Sequence, residues 1–163
     1  LALTFVKRCN VDVNRRKFLK ATLGALTVTG LTGLPLKNIF AGPSRPIREF
    51  RFHASPARVN LGGGPDFTTW TYNGQIPGPE IRVREGEIIR VVLKNYLPEG
   101  TSIHWHGVPV PNAMDGVPEV TQHAVMPGES FVYEFEAKPA GSYIYHSHVH
   151  YQLDQGLYGA LII

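Results

Sequence analysis

The chain has 163 residues, 43% hydrophobic and 18% charged, enough for one domain with a real core. Its net charge of +3 is lopsided: residues 1–41 hold seven of the sixteen basic residues and one of the thirteen acidic ones, leaving nine basic and twelve acidic groups beyond them. The folded part is mildly acidic, with no Lys/Arg cluster to favour nucleic acid. The lone cysteine, Cys9, excludes a disulfide framework, a zinc ribbon or a thiol nucleophile there.

In chain order the first element is a leader. Asn14-Arg15-Arg16-Lys17-Phe18-Leu19-Lys20 precedes a mildly apolar stretch, Ala21 to Leu31, rich in Thr and Gly. A charged region followed by a short apolar one is the pattern of an export signal, and the stretch is too short for a membrane span. The arginine pair followed by Phe18-Leu19-Lys20 resembles the bacterial twin-arginine signal, with Asn14 where that signal usually has Ser or Thr. The resemblance implies the twin-arginine export machinery as a partner, export of a folded protein, and a periplasmic or extracellular location in a bacterium. The expected division is a signal peptide at 1–41 and a folded domain at 42–163. The first residue is Leu rather than Met, so the natural start is expected upstream.

Beyond the leader, β-prone runs alternate with turn signals. Ile47 to His53 alternates apolar and polar residues, as a half-buried strand does. Gly62-Gly63-Gly64-Pro65-Asp66 is a loop. Phe67 to Tyr72 is β-prone, and Asn73-Gly74 turns it. Ile76-Pro77-Gly78-Pro79 forbids helix and predicts an extended, turn-like path. Glu80 to Arg84 is a short strand; Ile88 to Asn95, the most β-rich run, is a central one. Val108 to Gln122 is proline-rich and aperiodic, a long connection of the kind that is often functional. Ser130 to Glu136 sets Phe131, Tyr133 and Phe135 on one face. Ser142 to Tyr145 is another strand, Tyr151 to Gln155 a short helical or irregular crossover, and Leu157 to Ile163 a closing strand. Seven or eight short strands without a long amphipathic helix predict an all-β fold, an antiparallel sandwich. The chain stops on that apolar strand, so a fragment of a longer protein is expected.

Two stretches carry candidate chemistry: Ser102-Ile103-His104-Trp105-His106-Gly107 and, forty residues on, Tyr145-His146-Ser147-His148. On a strand, residues i and i+2 share a face, so His104 and His106 point the same way, and so do His146 and His148. Members of a pair lie roughly 6.6 Å apart along the backbone. That is wide for one ion and comfortable for two. Imidazoles suit copper, zinc, iron or nickel. Alternation turns Trp105 away from its pair, into the core. His53, His123 and His150 are isolated, and fit surface or hydrogen-bonded roles. Asp115 before Gly116 has the composition of a turn.

In order, Tyr72-Asn73-Gly74-Gln75-Ile76-Pro77-Gly78-Pro79, His104-Trp105-His106-Gly107, Met114-Asp115-Gly116-Val117-Pro118, Pro127-Gly128-Glu129-Ser130, Tyr145-His146-Ser147-His148 and Gly156-Leu157-Tyr158-Gly159-Ala160-Leu161-Ile162 resemble the first domain of laccase-type multicopper oxidases. The resemblance covers roughly residues 47 to 163. It implies a Greek-key cupredoxin-like (plastocyanin-like) β-sandwich and a trinuclear copper cluster that reduces dioxygen to water. By the resemblance, His104 serves the type 2 copper, His106 one type 3 copper, and His146 and His148 the type 3 pair. Asp115 matches an acid near the cluster that helps deliver protons.

The departures bear on function. The family's remaining cluster histidines come from His-x-x-His-x-His and His-Cys-His segments, and this chain has neither. It also lacks the Cys of a type 1 site, and Met114 and Met126 without one make a poor substitute. The expectation is a copper-binding N-terminal domain that supplies half the cluster and is incomplete alone. Its partner would be a C-terminal cupredoxin domain of the same or a neighbouring chain. The alternative is a self-standing, non-catalytic copper-binding or storage domain. In that family the reducing substrate docks near the type 1 copper, which this chain does not contain, so phenols, bilirubin-like pigments, cuprous ion and other metals all stay open.

Overall fold

The computed structural model describes residues 45–163; the leader and its twin-arginine pattern lie outside them. Eight strands form: β1 (Ile47–Val59), β2 (Phe67–Tyr72), β3 (Gly78–Arg82), β4 (Ile88–Asn95), β5 (His104–His106), β6 (Ser130–Glu136), β7 (Ser142–His146) and β8 (Tyr158–Ile162). They build two four-stranded sheets, β2-β1-β4-β6 and β3-β8-β7-β5, which pack as a cupredoxin-like β-sandwich.

The sheets are mixed, where turn spacing alone predicts antiparallel ones. β1 runs parallel to β4 from Ile47 to Ala54, then antiparallel to β2 from Ala54 to Val59. β3 runs parallel to β8. One long strand thus serves two partners, a long-range pairing that local turn signals do not encode. β1 also continues through Pro56, past the predicted His53. Its ladder with β4 ends at Ala54, so one edge beyond is unpaired and tolerates a residue without N–H. β3 begins at Gly78, two residues before the predicted Glu80. The Pro79 carbonyl accepts the Tyr145 hydroxyl at 2.6 Å, and a Cβ on Gly78 would stand 2.7 Å from that oxygen.

Strand alternation builds the core. In β4, Ile89, Val91 and Leu93 are fully buried while the residues between them are partly exposed. Trp105, Tyr145, Tyr133, Phe135, Phe52 and Tyr72 join them between the sheets. Each buried Ile, Val, Leu or Phe among them contributes about 1.5–3 kcal/mol on burial. Trp105 lies 4.8 Å from Phe135 and 5.6 Å from Tyr133, centroid to centroid. It is wholly buried, as alternation predicts. Two core hydroxyls hold the backbone just before His104. Tyr72 Oη donates to the Ser102 carbonyl at 2.8 Å, and Ile103 N donates to Tyr133 Oη at 2.9 Å. Burial pushes the Tyr133 hydroxyl up to about 12 and Tyr72 well above its ordinary value, so both stay neutral.

Candidate metal centre

β5 and β7 pair antiparallel with His104 opposite His146, Trp105 opposite Tyr145 and His106 opposite Ile144. Because Trp105 and Tyr145 face the core, His104, His106 and His146 project from the outer face of this sheet. β7 ends at His146, so strand alternation does not bring His148 beside it, contrary to expectation. The following loop does so instead, stacking the two rings 6.2 Å apart. The His104 ring is 5.3 Å from those of both His146 and His148 and 5.8 Å from His106. All four imidazoles therefore converge. His146 is buried, His104 half-buried, and His106 and His148 exposed, which leaves the cluster open on one side.

Hydrogen bonds set which ring nitrogens can ligate. His104 Nδ1 lies 2.7 Å from the Asp115 carbonyl and His146 Nδ1 2.8 Å from the Ser147 carbonyl. A carbonyl only accepts, so each Nδ1 carries the proton and each Nε2 keeps its lone pair. His106 Nδ1 faces His146 Nε2 at 3.2 Å. Metal–imidazole bonds of about 2.0–2.1 Å would let two nitrogens at that spacing share one ion. Burial, joined by the neighbouring imidazoles, pushes the pKa of His146 below the ordinary histidine value and favours the neutral, ligating form. The ligand nitrogens of His104, His106 and His146 all lie within 4.8 Å of one another. Four converging imidazoles, two of them with tautomers fixed by carbonyls, fit a copper site.

Asp115 reaches the cluster twice. Its carbonyl orients His104, and its carboxylate Oδ1 sits 3.4 Å from His104 Nδ1. Gly116 makes that approach possible. It has φ +74°, and a Cβ there would fall 1.7 Å from the Ile103 carbonyl oxygen. The Asp115-Gly116 dipeptide is thus the close contact between the long loop and the His104 strand, beyond its composition as a turn. His123 is exposed and lies 3.6 Å from Glu119, and His53 packs on Tyr96, both away from the cluster.

The family model for multicopper oxidases matches residues 53–163. The chain belongs to the multicopper oxidase family. It is 39% identical to a copper resistance protein A homolog of Pseudomonas syringae pv. tomato over 92% of its length, and 39% identical to copper resistance protein A of Escherichia coli over 94%. Among solved structures, a multi-copper oxidase from Pseudomonas thermotolerans shares 43% identity and a TM-score of 0.70, over 74% of this chain and 30% of that one. The chain spans about a quarter, 26%, of the length of those two copper resistance proteins. Family membership implies copper as the metal.

Proposed function

We propose that this domain supplies one half of the trinuclear copper cluster of an exported multicopper oxidase. The observation that carries the reading is the convergence of four imidazoles on an outer sheet face, with two left exposed. His106 Nδ1 and His146 Nε2, 3.2 Å apart, would share one type 3 copper. His148 would serve the other type 3 copper, and His104 Nε2 the type 2 copper. Bound copper would relay four electrons from the reducing substrate to dioxygen, giving water. The chain's own residues hold the ligands, fix their tautomers and bring protons. Asp115, 3.4 Å from His104 through Oδ1, is placed to pass protons toward that site.

The remaining ligands, and the type 1 site where electrons enter, would come from a C-terminal cupredoxin domain of the same or a neighbouring chain. That domain would dock on the face that carries the histidines. There His106, Gly107, Tyr143, Ile144, Ala160 and Ile162 line an open, mostly apolar cleft. The twin-arginine pattern supports export through that machinery to the periplasm or beyond. The reading is tested by copper stoichiometry and oxygen uptake of the full-length gene product. A trinuclear cluster with substrate-dependent oxygen consumption supports it; a coding region without His-Cys-His, and no partner chain carrying one, defeats it.

A second reading draws on the three ligand nitrogens within 4.8 Å, enough for one ion without another domain. Under it the domain stores or buffers copper. Stoichiometric copper without oxygen consumption in the full-length protein would favour that reading.

A further inference from the structure

Gln152 is only 1% exposed and stands outside the histidine cluster. Its amide uses both donors and both acceptor positions. Oε1 accepts from Thr101 Oγ1 and Ser147 Oγ, each at 2.7 Å. Nε2 donates to Glu99 Oε1 at 2.9 Å and to the Gly100 carbonyl at 2.8 Å. One side chain thereby bridges the segment that leads into His104 and the serine between His146 and His148. Two further bonds run beside it. His148 N donates to Ser102 Oγ at 3.2 Å, and Val149 N donates to Ser147 Oγ at 3.2 Å. The backbone of Gln152 also joins in, its N–H donating to the Val149 carbonyl and its own carbonyl accepting from Leu157 N, each at 3.1 Å.

β5 and β7 share only three paired positions, from His104–His146 to His106–Ile144. His148 lies beyond the last of them, so the ladder cannot fix its distance from His104. The buried hydroxyl–amide network is what spans that gap. We infer that Gln152 is a positioning residue that sets the spacing between the two histidine pairs, and above all between His104 and His148. This rests on the copper reading given above. A satisfied buried network holds one geometry, because every shift breaks a bond that water cannot replace.

The test uses the full-length protein, its copper occupancy titrated against graded chelator and its copper-free form melted in parallel. Gln152→Glu keeps the shape and both acceptor positions but sets an oxygen against Glu99 and Gly100 in place of the donor. The expected result is a loss of copper affinity of about 10- to 100-fold. Adding Glu99→Gln places an amide donor at position 99, facing the new carboxylate oxygen, and should recover much of that loss. Ser147→Ala, which deletes one hydroxyl, should lower affinity by a smaller factor. It carries the test with the same two outcomes should Gln152→Glu not fold. Unchanged copper affinity beside a lower melting temperature of the copper-free form would overturn the inference, since Gln152 would then serve the fold alone. Wild-type protein that takes up no copper would remove the copper reading itself, and the inference with it; the wild-type arm keeps the two failures apart.

Discussion

The two sheets finish their outer faces differently. On the β1-β4-β6 face, Arg90 meets Glu134 at 2.6 Å and Glu49 at 3.8 Å, while Arg51 pairs with Glu49 at 2.7 Å. Arg45 and Lys138 both reach Glu136, at 2.7 and 2.8 Å. These are exposed pairs, each worth roughly 0–1 kcal/mol, and their effect is to keep the face soluble and unattractive to other surfaces. On the β5-β7-β8 face, register places His104 and His146 with Tyr158, then His106 with Ile144 and Ala160, then Ser142 with Ile162. No ion pair bridges these strands among the described residues. The first face is complete in itself. The second combines imidazoles with apolar surface, a composition that suits the domain docking proposed above.

The largest separation of the two faces comes from deleting a ligand. His104→Ala or His148→Ala in the full-length protein should reduce oxygen uptake to background while any blue type 1 absorption persists. Next is Gly116→Ala, whose Cβ has no room against the Ile103 carbonyl at φ +74°. Thermal or denaturant unfolding should show a loss of about 3 kcal/mol. Asp115→Asn retains the backbone carbonyl that orients His104, so copper content should hold. Steady-state oxygen consumption should slow by about 100-fold if the carboxylate passes protons.

A matched pair probes the faces themselves. Ile144 and Val132 are each 46% exposed and lie on strands of opposite sheets. Ile144→Asp should weaken domain docking in the full-length protein by about 2 kcal/mol, read as earlier copper loss on heating. Val132→Asp should leave copper retention unchanged. Equal effects of the two changes would erase the distinction between the faces. The smallest effect belongs to Arg90→Gln, which should shift unfolding by less than about 1 kcal/mol.

Much of this was legible in the sequence for physical reasons. Period-two alternation marks a strand wherever one face is buried, so Ile88 to Asn95 and Ser130 to Glu136 were found with their correct bounds. Trp105 between two histidines was assignable to the core by the same rule. Parallel pairing of β1 with β4 was not legible, because it joins segments distant in sequence that no turn connects. Strand alternation predicts His148 beside His146, whereas a loop, not a strand, carries it to its neighbours. Gly116 and Gln152 escaped because their importance lies in contacts with Ile103 and with Thr101 and Ser147, which composition does not reveal. The resemblance points to Asp115, and its hold on His104 through a carbonyl is visible only in three dimensions.

Anomalous diffraction at the copper edge from crystals of the full-length protein tests the central claim most directly. Three copper peaks among His104, His106, His146 and His148 are predicted, with His106 and His146 on one ion and the other ligands supplied by a second domain. Peaks remote from these four rings, or a single ion closed off by this domain alone, would contradict it.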